Sequence, residues 1–465
     1  MNVDELHYLE LSEIAELIRQ GEVTSEEVTS AQLERIDKLD GTLKSYRTVD
    51  AEGAIEAARA ADADRRKGRI RSGVHGVPVG IKDLANTKGL ATGAGTAIHD
   101  GFVPDFDATV VVKLREAGAV NLGKLAMTEG AYSGHHPDLQ TPVNPWDENT
   151  WPGVSSSGSG VAPAAGMCFG SIGTDTGGSI RLPSSANGIT GLKPTWGRVS
   201  RYGCFPLAQS LDHIGPMARS AQDCAIMLEV LAGRDKNDPT ASRRPVPRYS
   251  QLLDTPRPWT VGIDSKLNSQ FDDVTQRMLV ETADVFRELG WTVVEVSTPD
   301  LSAAGADWAA LCGAETADVH RDTYPSRASE YGPELASLVD IGLELSTIDY
   351  ARLQERRRNF TGKMIDLMSG IDLLLLPAVG QASPTNEDMA GATAGSALME
   401  RILTPTAPID MCGFPAVTFP TGFTSRGTPL GAQLVGAPWT EAQCMAAAHA
   451  YQQATDFHLQ RPTVG

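Results

Sequence analysis

Cysteine is scarce in this chain: six residues in 465, at Cys168, Cys204, Cys224, Cys312, Cys412 and Cys444, with no CxxC pair. That scatter offers neither a disulfide framework nor zinc-ligand spacing, and it predicts free thiols in a reducing compartment. Basic residues are also outnumbered, 40 Lys and Arg against 58 Asp and Glu, for a net charge of −18. Such a surface repels a phosphate backbone and an anionic bilayer, so neither nucleic acid nor membrane is an expected partner. Long apolar runs are missing too. Stretches such as IDLLLLPAV at 371–379 are strand length and too short to span a bilayer. The opening MNVDELHYLELSEIAELI puts acids where a secretion signal needs a basic region followed by an apolar one. These absences together predict a soluble, cytoplasmic protein.

What is present is ordinary globular material, 41% apolar and 21% charged, which excludes wholesale disorder. A chain of this length buries roughly three quarters of its unfolded surface and needs no metal or disulfide staple. The 46 Gly and 28 Pro point to many turns and loops. Helical spacing of apolar residues marks 9–20, 24–39 and 51–68, with Ser12–Glu13 and Thr24–Glu27 as expected cap regions. GVPVGIK (76–82), AVNLG (119–123), WTVGID (259–264), WTVVEV (291–296), IDLLLLP (371–377), AVTFP (416–420) and PLGAQLVG (429–436) read as strands. Helical stretches alternate with several of them, which predicts an α/β/α sandwich around a mixed, mostly parallel sheet. No repeat of 20–50 residues argues for a solenoid. The segments 233–251 and 380–396 read as a surface crossing and a mobile loop over a site.

Chemistry concentrates in residues 151–203, where Ser and Gly crowd together at SSSGSG (155–160) and GTDTGGS (173–179). A flexible linker would not need the interspersed Asp175, Arg181 and Pro183. Clustered glycines beside serine allow backbone N–H groups to approach a ligand and form an oxyanion hole. Neither GxxxxGK[ST] nor GxGxxG is present, so phosphate and dinucleotide binding lack their usual loops. Both serine clusters fail the GxSxG pattern, no HExxH occurs, and the adjacent His135 and His136 point different ways. No metal or other cofactor is expected. A serine nucleophile without histidine needs another base, and lysine is the usual substitute.

GVPVGIKD (76–83), PGVSSSGSGVAPAAG (152–166) and GTDTGGSIRLPSSANGITGLKPTWG (173–197) resemble the core stretches of the amidase signature family. DATVVVKLREAGAVNLGK, LDHIGPMARSAQDCAIML, DLLLLPA, GFPAVTFPTG and PLGAQLVG extend the resemblance over most of residues 5–455. It implies one α/β domain over 1–465: N-terminal helices in 1–70, a catalytic core in 71–230, and the second half of the sheet with substrate-side loops in 231–465. Carried over by position, it implies Ser179 as nucleophile, Ser155 as bridging serine and Lys82 as base. Backbone N–H groups of Thr176, Gly177, Gly178 and Ser179 would form the oxyanion hole. Ser156, Asp175 and Arg181 would fix these loops, and Gly130, Ala131, Tyr132 and Ser133 would line the acyl side of the pocket. The peptide bond before Ser155 would be cis. Two positions depart from the family, with Val154 ahead of Ser155 and Ser157 after Ser156 where glycines are usual.

The implied activity is hydrolysis of the C–N bond of a carboxamide through an acyl-enzyme, on small uncharged or aryl amides, with esters and carbamates also within reach. The resemblance equally covers the glutamine-hydrolysing component of a tRNA-dependent amidotransferase. Such components hold the charged ends of glutamine, whereas RILTPTAPIDMCGFPAVTFP (401–420) is largely apolar where an acidic residue would serve. The expected partner is therefore a small-molecule amide, and the expected state a monomer or homodimer.

Overall fold

The computed structural model describes residues 6–254, 257–392 and 395–464. Among them run eleven strands: β1 (Tyr46–Val49), β2 (Pro78–Lys82), β3 (Val120–Leu125), β4 (Gly170–Asp175), β5 (Thr190–Lys193), β6 (His213–Ala218), β7 (Thr260–Ile263), β8 (Thr292–Glu295), β9 (Leu373–Pro377), β10 (Ala416–Phe423) and β11 (Pro429–Gly436). They form a single sheet in the order β1-β3-β2-β4-β6-β5-β10-β11-β9-β7-β8.

The mixed sheet is the expected one, but its weighting is not. Parallel pairing holds on the flanks, at β2 with β3 and β4 and at β7 with β8 and β9. The middle of the sheet, from β4 through β6, β5, β10 and β11 to β9, is antiparallel throughout, as is the edge pair β1–β3. Strand–helix–strand crossovers supply the parallel flanks. The centre is instead built from a hairpin at 424–428 and from loop returns, which periodicity does not distinguish from crossovers.

Helices cover both faces. Glu441–Ala454 contacts both Ala221–Leu231 and Asp273–Glu288, and all three contact the sheet, while Ser157–Ala164 and Arg181–Asn187 contact each other and the sheet separately. Asp273–Glu288 shows the local logic. Asp272 caps it by accepting the Thr275 N–H, and Met278, Leu279, Thr282, Ala283 and Phe286 line its buried stripe at helical spacing. The predicted N-terminal helices span Leu11–Gln20, Ser25–Leu43 and Ala51–Arg66. Thr24 caps the second as expected. The first is capped by Glu10 with Glu13 reaching back, not by Ser12, whose N–H is taken by Asp223. The four leucines of β9 are fully buried, as expected of a continuous apolar run covered on both faces.

The segment 233–251 is more than a crossing, since Arg198 donates to the buried Tyr249 hydroxyl at 2.7 Å. Within 380–396 the chain forms a short helix, Asn386–Ala390, and a second, Ala397–Leu403, follows it. Residues 393 and 394 of that segment lie outside the described residues. No described helix is long and apolar enough to cross a membrane.

Candidate active site

β2 enters the interior with every residue buried and ends on Lys82. Its Nζ lies 2.8 Å from three hydroxyl oxygens, Ser155 Oγ, Ser156 Oγ and Thr174 Oγ1. Burial strips the ammonium of water and pushes the amine down to about 7, against the opposing pull of Asp175, Asp212 and Cys204. The amine is therefore substantially neutral near pH 7, with two N–H donors and one lone pair. The three hydroxyls are not equivalent towards it. Ser156 donates its own proton to the Thr174 carbonyl at 3.2 Å and also accepts the Thr174 N–H at 3.2 Å. It can only accept from Lys82, which leaves the lone pair to a proton from Ser155 or Thr174.

Ser155 is fully buried, follows a cis Val154–Ser155 peptide bond as the sequence implied, and has its carbonyl held by the Thr128 N–H at 3.1 Å. The helix Ser157–Ala164 starts directly behind it, all of its residues buried. Gly158 permits that approach: a Cβ there would stand 2.4 Å from the Ser45 carbonyl oxygen. The Ser156 N–H reaches the Ser179 carbonyl at 3.3 Å and ties the two serine segments together. No direct hydrogen bond joins the Ser155 and Ser179 hydroxyls among the described residues. A ligand-free site often has loose reacting contacts that tighten when substrate binds.

β4 delivers Asp175 and the loop that follows. The Asp175 carboxylate accepts N–H groups of Gly178 (2.6 Å), Ile180 (3.1 Å) and Arg181 (3.3 Å), and pairs with the Arg181 side chain at 2.9 and 3.0 Å. Burial works to raise this carboxyl, but the guanidinium overrides it and holds Asp175 well below the usual carboxylate range. Arg181 also binds Gln433 Oε1 and the Thr406 carbonyl at 3.0 Å and Asp410 at 2.5 Å. Burial and the charge of Asp175 push Asp410 the other way, well up. The loop is thus anchored on a buried, fully bonded guanidinium rather than on solvent.

Of the four N–H groups expected to face an oxyanion, the Gly178 group is already given to Asp175. Those of Thr176, Gly177 and Ser179 donate to no acceptor among the described residues, and three donors remain available. Their carbonyl sides are fixed: Trp308 Nε1–H donates to the Thr176 carbonyl and the Thr406 hydroxyl to the Gly177 carbonyl, both at 2.7 Å. A Cβ on Gly177 would sit 2.4 Å from Trp308 Cζ2. Gly177→Ala is therefore expected to displace the indole, break its bond to Thr176 and slow acylation by about tenfold or more, read as the rate of a single-turnover burst.

Ser179 opens onto an apolar cavity lined by Ala131, Tyr132, Ser133, Trp151, Val154, Leu182, Leu207, Trp308, Met389, Met399, Ile402 and Leu403, besides Thr176 and Gly177. Among the described residues no charged side chain lines it. Of the four expected pocket residues, Gly130 stands behind the wall against Leu335 and the other three line it. The cavity widens into an antechamber of about 570 Å³ that adds His135, Glu334 and Asn386. His135 is bonded to Ser157 at 3.0 Å and pushed down to about 4 by burial. Among the described residues no group of three His, Cys, Asp or Glu could hold a metal ion. Lys82, Ser155, Ser156, Asp175, Ser179 and Arg181 are thus brought together. Trp151, Thr174, Trp308, Met389, Met399 and Leu403 were not anticipated. They come from separate stretches whose meeting only the tertiary fold creates.

The family profile described as Amidase matches residues 27–445. AmiD of Mycobacterium tuberculosis, whose name classes it as an amidase without giving a substrate, is 50% identical over 464 residues, covering 100% of this chain and 98% of that one. A glutamyl-tRNA(Gln) amidotransferase component from Chromohalobacter salexigens is 38% identical over 491 residues, covering 99% of both. The solved peptide amidase of Stenotrophomonas maltophilia superposes with a TM-score of 0.85 at 30% identity over 98% of both chains. This chain belongs to the amidase signature family and is a hydrolase acting on the C–N bond of amides.

Proposed function

We propose that the chain is a stand-alone amidohydrolase of small, uncharged amides that works through a Ser179 acyl-enzyme. The observation that carries this reading is the buried Lys82 amine, poised near neutrality at 2.8 Å from Ser155 Oγ. Lys82 takes the Ser155 proton as Ser155 takes that of Ser179, and Ser179 Oγ bonds to the carbonyl carbon. The oxyanion that results is received by the N–H groups of Thr176, Gly177 and Ser179. The proton returns along the same hydroxyls to the leaving nitrogen, the C–N bond breaks and the amine departs. Water then attacks the ester by the same relay, releasing the acid and restoring Ser179.

The cavity's chemistry supports an apolar or aryl acyl group. Leu182, Met399, Ile402 and Leu403 offer burial but nothing that pairs with an ammonium or a carboxylate. This weighs against the glutamine-hydrolysing alternative, because the two charged ends of a free amino acid would be desolvated there without partners. Esters and carbamates with similar acyl groups fit the same acylation chemistry.

A panel run on the purified chain tests the reading. Neutral aryl and alkyl amides, anilides, esters and carbamates are expected to turn over without a partner protein. Glutamine is expected to be at least about a hundredfold poorer in kcat/KM, since two unpaired charges in an apolar site cost several kcal/mol. Glutamine hydrolysis that matches the best aryl amide would overturn the assignment.

A further inference from the structure

The far side of the Thr174–Ser179 loop carries a buried carboxylate that the relay above does not use. A second cavity of about 380 Å³, with polar groups among its apolar lining, meets the first at Ala131, Thr176 and Leu207, and Thr174, Cys204 and Asp212 stand in its wall. Thr174 is also one of the three hydroxyls on Lys82, so a single hydroxyl separates this chamber from the base. Asp212 immediately precedes β6 and is 9% exposed. Its Oδ1 accepts the Thr176 hydroxyl at 2.7 Å and the Ala208 N–H at 3.1 Å, while Oδ2 accepts the Leu207 N–H at 3.1 Å.

Two carboxylates therefore grip the same loop from opposite ends. Asp175 holds Gly178, Ile180 and Arg181, and Asp212 holds Thr176. They differ in what balances their charge. Asp175 is paired with Arg181 at 2.9 Å, whereas Asp212 forms no ion pair among the described residues. We propose that Asp212 is a positioning residue of the hydrolytic site: it fixes Thr176, one of the N–H donors to the oxyanion, and its unpaired charge steadies the protonated form of Lys82.

The proposal rests on the reading of Lys82 as the general base. Asp175, Asp212 and Cys204 are the titratable groups that face Lys82, and Arg201, Lys82, Cys204 and Cys312 are those around Asp212. Burial pushes Asp212 up to about 6 despite its three hydrogen bonds, so it gains charge just below the range in which Lys82 gives up its own. The sign follows. Removing the Asp212 charge takes away a favourable partner of the ammonium, Lys82 deprotonates more easily, and activity persists to lower pH.

The test uses a neutral aryl amide and follows kcat and kcat/KM of wild type, Asp212→Asn and Asp212→Ala from about pH 5 to 9, with thermal unfolding of each. Asparagine keeps an acceptor for Thr176 and Ala208 and removes the charge, at the cost of the acceptor for the Leu207 N–H. Asp212→Asn is expected to move the rising limb about 0.5–1 unit towards acid. Asp212→Ala frees Thr176 and is expected to lower plateau kcat about tenfold or more with little change in KM, Asp212→Asn falling between it and wild type. If the alanine variant does not fold, the limb of Asp212→Asn decides. A wild-type limb that Asp212→Asn leaves in place overturns this inference alone, as does a folded Asp212→Ala with the wild-type plateau. A flat wild-type profile overturns the Lys82 reading, and this inference with it.

Discussion

Treated with a fluorophosphonate, the wild-type chain is expected to gain one adduct, on Ser179, and Ser179→Ala none. Serine is abundant around the site, so the prediction is selective. Ser156 has committed its proton to the Thr174 carbonyl, and Ser159 donates to the Ile172 carbonyl at 2.9 Å. Ser155 is fully buried, whereas Ser179 is 8% exposed and forms part of the cavity wall. Only Ser179 also stands beside N–H groups with no other acceptor, which receive the phosphonyl oxygen as they would an oxyanion. Amide hydrolysis by Ser179→Ala should fall by about 10⁴-fold or more, because a nucleophile that works as part of a relay takes the relay with it when removed. The inert methyl costs no buried hydrogen bond here, so the unfolding midpoint should stay close to wild type. Intact-mass spectrometry with peptide mapping reads the label. An adduct that persists in Ser179→Ala would move the nucleophile elsewhere.

The residues of the proposed relay were legible in the sequence because each sits in a short stretch with little room for variation. The glycines show why. Gly158 and Gly177 are places where a single methyl would strike a carbonyl oxygen or the Trp308 ring. Chemistry that needs backbone so close to backbone leaves a dense local signature. The apolar strands were legible for a similar reason, since the leucines of β9 must be apolar on both faces. Three strands of the antiparallel centre were not. Strands β4, β5 and β6 are rich in Gly, Ser and Thr (GSIGTD, TGLK, HIGPMA), and small residues let the loops above them pack closely. Such strands carry no apolar alternation and read as loop. The cavity wall was illegible for a different reason. Trp151, Trp308, Met389 and Leu403 are ordinary apolar residues in sequence, indistinguishable from core, and form a cavity wall only because the fold gathers them around Ser179. The availability of each oxyanion N–H was also beyond the sequence, because it depends on which one Asp175 occupies.

Lys82→Ala is expected to cost about 10²–10⁴-fold in kcat, the usual contribution of a positioned general base, while leaving the chain folded. The lysine is fully buried with its amine on three hydroxyls, and removing it leaves Ser155, Ser156 and Thr174 without one partner each. Ser156 retains its two bonds to Thr174, and water can enter the vacated volume to serve the others. Lys82→Met, which fills that volume with an apolar chain, should be equally inactive if the amine rather than its bulk matters. Ser155→Ala should approach the same loss, and the Lys82→Ala/Ser155→Ala pair should cost little more than either alone, because both remove the same proton path. The pH dependence carries the sign. With the amine pushed down to about 7, the neutral form is about a tenth of the total one unit below that value and half of it at that value. Wild-type kcat/KM should therefore climb tenfold per unit on the acid side and level off on the alkaline side, and the climb should vanish in Lys82→Ala. An arginine could not take this place, since its guanidinium stays protonated at any pH the fold survives, so Lys82→Arg should be as inactive as alanine despite keeping the charge. Activity in Lys82→Arg above that of Lys82→Ala would show that the site needs a cation rather than a base, and the relay would have to be redrawn.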